Sequence, residues 1–287
     1  MRKSRFNLRS YTLITCTTLL FACTKNNGVV EKQASLTTEN GIAHSSIKTQ
    51  ASGSVLLNVD YETGTTNSGI TGVNPTNATA SDAVYMVSPG RNGNYAVAHK
   101  VTLGLPGYFS NDAYRSESDA DNIPAARFAS GDERRYEFSV YLKDWEQWNS
   151  SNPPYGDNLF QCKITSGASV PIRILTKRNS IVTRTGATAQ DNLVTDFRPY
   201  INQWIDFRID VLWSNTTTGY LKIYTRYPGE QNYTIRLQRL NTVTYTGTAA
   251  QHGYIKWGVY REAGTSFTDN ALTRIAYHDD VKITALN

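Results

Sequence analysis

The chain is poor in the residues that build redox and metal centres, with three cysteines and four histidines in 287 residues. Cys16 and Cys23 lie near the N-terminus, which leaves Cys162 alone in the body of the chain, so a disulfide framework and a cysteine-based zinc site are both excluded. No apolar run is long enough to span a bilayer as a helix, no stretch keeps the period of a long amphipathic helix, and no internal repeat is present. The Gly-x-Ser-x-Gly of a serine hydrolase is missing. A glycoside hydrolase needs two placed carboxylates. The nearest candidate, Glu117-Ser118-Asp119-Ala120-Asp121, lacks alternating acidic and apolar residues, runs into Asn122 and Pro124, and reads as a loop.

What is present begins with a basic start, Arg2, Lys3, Arg5 and Arg9, and an apolar run over residues 11–22. This predicts a secretion signal over residues 1–22. Leu20-Phe21-Ala22-Cys23 resembles the bacterial lipoprotein cleavage box, with Phe21 bulkier than usual there. The resemblance implies lipidation at Cys23 and an exported protein anchored to the membrane, at the periplasmic or surface face of an outer membrane, rather than spanning it. Plain secretion with Cys23 unmodified is the alternative. Residues 23–53 are polar and aperiodic and read as a tether, with a reach of roughly 30 Å. Without the four basic residues of the signal, 25 lysines and arginines stand against 24 acidic residues, which argues against a nucleic-acid partner. Residues 173–261 hold twelve basic and five acidic residues. That imbalance suits an anionic ligand, and scattered strand-surface charge would also produce it.

Residues 54–287 read as one domain dominated by strands. Tyr136-Glu137-Phe138-Ser139-Val140-Tyr141-Leu142, Ile205-Asp206-Phe207-Arg208-Ile209-Asp210-Val211 and Leu221-Lys222-Ile223-Tyr224 alternate apolar with polar, and Asn215-Thr216-Thr217-Thr218-Gly219 joins the last two as a hairpin loop. Many short strands, in a chain with five tryptophans and eighteen tyrosines of which only Tyr11 lies outside this domain, predict an all-β fold, an antiparallel two-sheet jelly-roll sandwich.

Two strands carry chemistry. In Tyr254-Ile255-Lys256-Trp257-Gly258-Val259-Tyr260-Arg261, Tyr254, Lys256, Gly258 and Tyr260 share a face opposite Ile255, Trp257 and Val259. Lys256 and Tyr260 are about 13 Å apart along an extended strand, so both reach one ligand only on a curved sheet. Gly258 between them would let a ligand approach the backbone. In Asn158-Leu159-Phe160-Gln161-Cys162-Lys163-Ile164, Gln161 and Lys163 share the face opposite Phe160, Cys162 and Ile164, making Cys162 a core residue. Arg115 and Glu117 sit two apart and hold each other on one face, and an arginine fork suits a carboxylate or sulfate. His278-Asp279-Asp280 reads as a turn at a strand end.

These stretches in this order resemble the jelly-roll polysaccharide lyases, the family of heparin lyase I and the glucuronan lyases. Others that carry the likeness are Asp60-Tyr61-Glu62-Thr63-Gly64, Gln203-Trp204-Ile205-Asp206-Phe207 and Trp213-Ser214 with Gly219-Tyr220-Leu221-Lys222. The resemblance implies cleavage of a uronic-acid-containing polysaccharide, such as a glycosaminoglycan or glucuronan, by β-elimination. Tyr260 and Lys256 fall on catalytic positions and Arg115 on the substrate-binding arginine, so that these three form the expected catalytic set. Gln161, Lys163, Glu117, Tyr254 and His99 are the expected substrate contacts. The chain departs from the family at Gln161-Cys162-Lys163, where heparin lyase I has a catalytic histidine; His99 would be one source of a replacement imidazole, a structural histidine being the other reading of it. No cofactor is required by this chemistry, a calcium ion fixing a loop is compatible with it, and a monomer is expected. A non-catalytic glycan-binding lipoprotein is the competing reading.

Overall fold

The computed structural model describes residues 52–151, 153, 156–166, 170–186, 189–262 and 272–287, all within the unit Lys48–Asn287. The expected signal, Cys23 and the tether up to residue 51 lie outside the described residues.

Alternation has become two antiparallel sheets. One is built from β1 (Val55–Val59), β2 (Val84–Val87), β3 (Ala96–Thr102), β6 (Glu133–Lys143), β11 (Trp204–Leu212), β12 (Gly219–Arg226), β13 (Thr234–Thr242) and β15 (Thr273–Ala285). Its order is β13-β12-β11-β6-β15-β3-β2, with β1 paired to β15. The other is built from β4 (Phe109–Ser110), β5 (Ala113–Asp119), β7 (Gly156–Ile164), β8 (Ile172–Lys177), β9 (Ser180–Thr185), β10 (Ala189–Val194) and β14 (Gly253–Arg261), in the order β10-β9-β8-β7-β14-β5-β4. No helix among the described residues is long and apolar enough to cross a membrane.

The inward residues of both sheets form one core. Phe160 of one sheet stacks on Phe138 of the other at 4.1 Å between centroids, and Phe138 on Phe207 at 5.2 Å. Each such buried ring contributes roughly 1.5–3 kcal/mol of transfer free energy. Cys162 is fully buried there, with Phe160 and Ile164. Trp213 stacks on Phe128 at 4.0 Å and satisfies its indole N–H on the Tyr136 hydroxyl at 2.9 Å, meeting the need of a buried polar edge for a partner.

Three local expectations are corrected. Glu117-Ser118-Asp119 is not loop but the end of β5, because Ser116 and Ser118 hydrogen-bond inward, to the carbonyl oxygens of Ala83 and Pro75, giving small polar residues a place on the core face. His278-Asp279-Asp280 is not a strand end. It lies inside the 13-residue β15, where the register against β6 shifts between Asp279 and Lys282 and Asp280 adopts φ 52°, a bulge that two short acidic residues accommodate. Gly258 serves the backbone rather than a ligand: at φ +140°, an added Cβ would lie 2.3 Å from the Ser116 carbonyl oxygen and 2.7 Å from the Glu117 Cα.

Candidate active site

Strand order places distant sequence side by side. β14 runs between β5 and β7, pairing Tyr260 with Arg115, Gly258 with Glu117 and Lys256 with Asp119 on one side, and Lys256 with Gln161 and Tyr254 with Lys163 on the other. Directly paired residues point to the same face, so the polar sides of the three strands converge on the surface facing away from the core. There Arg115, Gln161, Lys163, Val170, Arg173, Lys256 and Tyr260 line a cavity of ≈ 130 Å³. The β14–β7 register shifts by one residue between Trp257 and Tyr260, bending the strand where Lys256 and Tyr260 must reach one space.

Four cations line this cavity, and two of them, Lys256 and Arg115, meet a buried carboxylate beside it. Lys256 Nζ donates to Glu117 Oε2 at 2.7 Å, Gln161 Nε2 donates to Glu117 Oε1, and the Arg115 guanidinium stands 3.9 Å from Oε2. Glu117 is only 2 % exposed. With both oxygens taken, it holds Lys256 and Gln161 in place, where the sequence suggested a substrate contact. Gln161 keeps a second amide N–H for the cavity. Arg115 donates to the Asn111 carbonyl at 2.9 Å and lies 4.6 Å over the Tyr260 ring centroid, which fixes both planes. Burial, then the charges of Lys256 and Arg115, hold the Lys163 ammonium below its ordinary pKa of 10.5, a consequence of crowding cations. Tyr254 is half-buried beside Lys163 rather than lining the cavity; burial, followed by the carboxylates of Asp121, Asp119 and Glu117, raises its phenol and keeps it protonated.

His99 is not at this site. It is 0 % exposed and points between the sheets, 5.4 Å from the ring of His278. Since the Ser118 hydroxyl donates to Pro75, His99 Nε2–H donates to Ser118 Oγ at 3.0 Å, and burial lowers its pKa to about 3. His278 reaches across to the Leu159 carbonyl at 2.9 Å, beside the register shift of β7. Both imidazoles are therefore neutral and inter-sheet, and neither can stand in at Lys163.

Three features escaped the sequence. Arg173 lines the cavity from β8, opposite Gln161; alternation in Ile172-Arg173-Ile174 was the available signal. Asn158 pairs with Tyr260, is 1 % exposed, and both its amide atoms are without a hydrogen-bond partner among the described residues. His252, ahead of β14, bonds Asp121 Oδ1 through Nε2 at 2.7 Å, which orients its imidazole. Among the described residues no three histidine, cysteine or acidic side chains converge as metal ligands. A hollow of ≈ 210 Å³ between Ile172, Leu221 and Thr244 and another of ≈ 260 Å³ near Glu137, Tyr233 and Asp280 lack this convergence of cations.

The family model for polysaccharide lyases matches residues 61–282, a span that contains every strand lining the cavity. The chain belongs to the polysaccharide lyase family. Among solved structures, the lyase is similar to endo-β-1,4-glucuronan lyase from the fungus Trichoderma reesei, with 18% identity and a TM-score of 0.55 over 75% of this chain and 91% of that one. An alginate lyase from the marine Aplysia kurodai gives 10% identity and a TM-score of 0.53 over 81% of this chain and 99% of that one. A β-glucanase catalytic domain from Podospora anserina gives 11% and 0.50, over 72% and 81%. At these identities the likeness establishes the jelly-roll fold of the lyase, and the glucanase illustrates that one sandwich hosts different chemistries. No curated protein sequence matches the lyase.

Proposed function

We propose that this lyase cleaves a polysaccharide at a uronic acid residue by β-elimination in the cavity between β5, β14, β7 and β8. The observation that carries this reading is the set of four cations, Arg115, Lys163, Arg173 and Lys256, that line one cavity with a tyrosine and without a carboxylate among the lining residues, the buried Glu117 beside it being already occupied. Such a site is short of negative charge, and a uronate supplies it.

Elimination removes the C5 proton, breaks the C4–O bond and leaves a C4=C5 double bond, with the departing oxygen taking a proton. Negative charge grows on the substrate carboxylate as the C5 proton leaves. Arg115, Lys163 and the free N–H of Gln161 are the donors for it. Tyr260 is the group for proton transfer, taking the C5 proton, returning one to the leaving oxygen, or both in turn. Lys256 and Arg115 supply the positive charge a phenolate needs. Glu117 orients Lys256 and Gln161. No step needs a metal or cofactor.

Incubating the purified domain with heparin, heparan sulfate, glucuronan, alginate and hyaluronan and following the ultraviolet absorbance of the unsaturated uronate tests the proposal. A rise with at least one polymer is expected. Tyr260→Phe should lower turnover by about 10²–10⁴ while binding changes by no more than one hydrogen bond, about 1 kcal/mol. Retained turnover in that variant would remove Tyr260 from the mechanism.

We further propose that the protein is exported and held at a membrane by acylation of Cys23, in keeping with the basic and apolar N-terminus and the Leu20-Phe21-Ala22-Cys23 box. Expressed in a bacterium, Cys23→Ala should move the protein from the membrane fraction to the soluble one. An unaltered distribution would sink the idea.

A further inference from the structure

The polar row at the site does not stop at Gln161. Asp119, Lys256, Gln161, Arg173 and Arg184 are successive cross-strand partners from β5 to β9, so five polar side chains form one line across the outer face. Neighbouring strands are about 4.8 Å apart. Arg173 therefore stands one strand beyond Gln161, a step on the scale of one hexose ring.

Arg173 has unspent binding capacity. It lines the same cavity, its Nε is buried without a hydrogen-bond partner among the described residues, and its ion pair with Glu262 is long, 3.9 Å from the terminal nitrogen. Glu262 is taken by Arg184, which donates to its two oxygens at 2.6 and 3.2 Å. Arg184 and Glu262 thus form a closed pair that confines Arg173 on one side and leaves its fork for another acceptor. A partly desolvated guanidinium without strong hydrogen bonds is costly unless an oxyanion completes it.

We propose that Arg173 is a second anion-recognition point, reading an oxyanion on the sugar next to the one whose carboxylate meets Arg115, Gln161 and Lys163. The lyase then prefers polymers with acidic groups on consecutive sugars over polymers in which uronates alternate with neutral sugars. The inference rests on the uronate reading above. The oxyanion is a carboxylate or a sulfate, which a planar fork binds in the same bidentate way.

Binding by affinity electrophoresis in a Tyr260→Phe background tests it, using glucuronan with a carboxylate on every sugar, heparin with sulfate beside the uronate, and hyaluronan with a neutral neighbour. The background protein should bind glucuronan or heparin at least about tenfold tighter than hyaluronan, the factor expected of one charge-assisted contact. Adding Arg173→Gln should reduce that ratio to about twofold or less, with Arg173→Lys, which keeps the charge and loses the fork, between the two. Whichever polymer loses affinity identifies the oxyanion. A preference that survives Arg173→Gln in a protein melting as the parent does would overturn the inference, as would an equal loss on hyaluronan, the mark of unspecific charge. If the background protein binds none of the three polymers, the uronate reading itself fails and this one falls with it; binding that ignores Arg173 sinks only the second point.

Discussion

At the scale of single residues, Lys163 distinguishes this groove. In the proposed mechanism it acts charged, neutralising the substrate carboxylate, and its pKa is lowered from 10.5 by burial and by Lys256 and Arg115. Activity should therefore fall on the alkaline side once pH passes that lowered value, below 10.5. Lys163→Arg should move this alkaline limb upward, because a guanidinium stays charged, whereas Lys163→Met should lose about 10²–10³ in kcat across the range. A pH–rate profile of the three proteins is the check, and an alkaline limb unmoved in Lys163→Arg would assign it to another group. That Lys256 shares a face with Tyr260, Gln161 with Lys163 and Arg115 with Glu117 was legible in the sequence because a strand's period of two separates its faces, whereas their grouping into one site came from the family resemblance. Of the two readings of His99, substrate contact and structural histidine, the structure supports the second; the sequence left both open because alternation says which residues share a face and not which face is buried. Val97, His99 and Val101 form the inward set of β3, and Ser118 offers His99 a partner there. Arg173 was missed because its place opposite Gln161 is a property of strand pairing, which local sequence does not carry.

At the scale of elements, β14 is the strand on which the groove depends, and Gly258 is what lets it lie against β5. A side chain at φ +140° is strained, and the atoms it would meet, the Ser116 carbonyl and the Glu117 Cα, are backbone. Gly258→Ala should cost about 3 kcal/mol, lower the melting temperature by roughly 6–12 °C, and reduce turnover through displacement of Glu117. Thermal melting monitored by circular dichroism reads the first effect, and a melting point within a degree or so of the parent would contradict the packing described here. The strands themselves were plain in the sequence: the alternating stretches became β6, β11, β12, β7 and β14, and the predicted hairpin joins β11 to β12. The end of β5 and the bulge in β15 were not, since Ser116 and Ser118 earn inward positions only through acceptors supplied by Ala83 and Pro75.

At the scale of the molecule, the two imidazoles between the sheets tie stability to pH. His99 titrates at about 3 and His278 well below 6.5, because burial opposes their charged forms; unfolded, each would take up a proton near 6.5. Their contribution is complete above about pH 6.5 and is lost progressively as pH falls below it, for His99 down to about 3. Asp279 works in the opposite sense. Burial raises it from 3.8 to about 7, so it favours the folded state at low pH and loses that effect as pH rises through this window. Burial raises the neighbouring Asp280 as well, so the two carboxyls offset part of the histidine effect, and denaturant-derived stability should fall as pH drops below about 6.5, less steeply than two histidines alone would make it. His278→Gln should make stability fall less steeply with decreasing pH. An unchanged slope would place the titrating groups elsewhere.

The second sheet also sets a limit of another kind. A polymer crossing its strands advances about 4.8 Å with each one, and the cavity is off-centre: β9 and β10 extend the sheet beyond β8, whereas only the two-residue β4 lies beyond β5. A chain bound along this row has more sheet beneath it on one side of the scissile bond than on the other. In the proposed mode of binding the β9–β10 hairpin would set the size distribution of the released oligosaccharides, and trimming that hairpin should change how long the fragments are without changing which bond is broken.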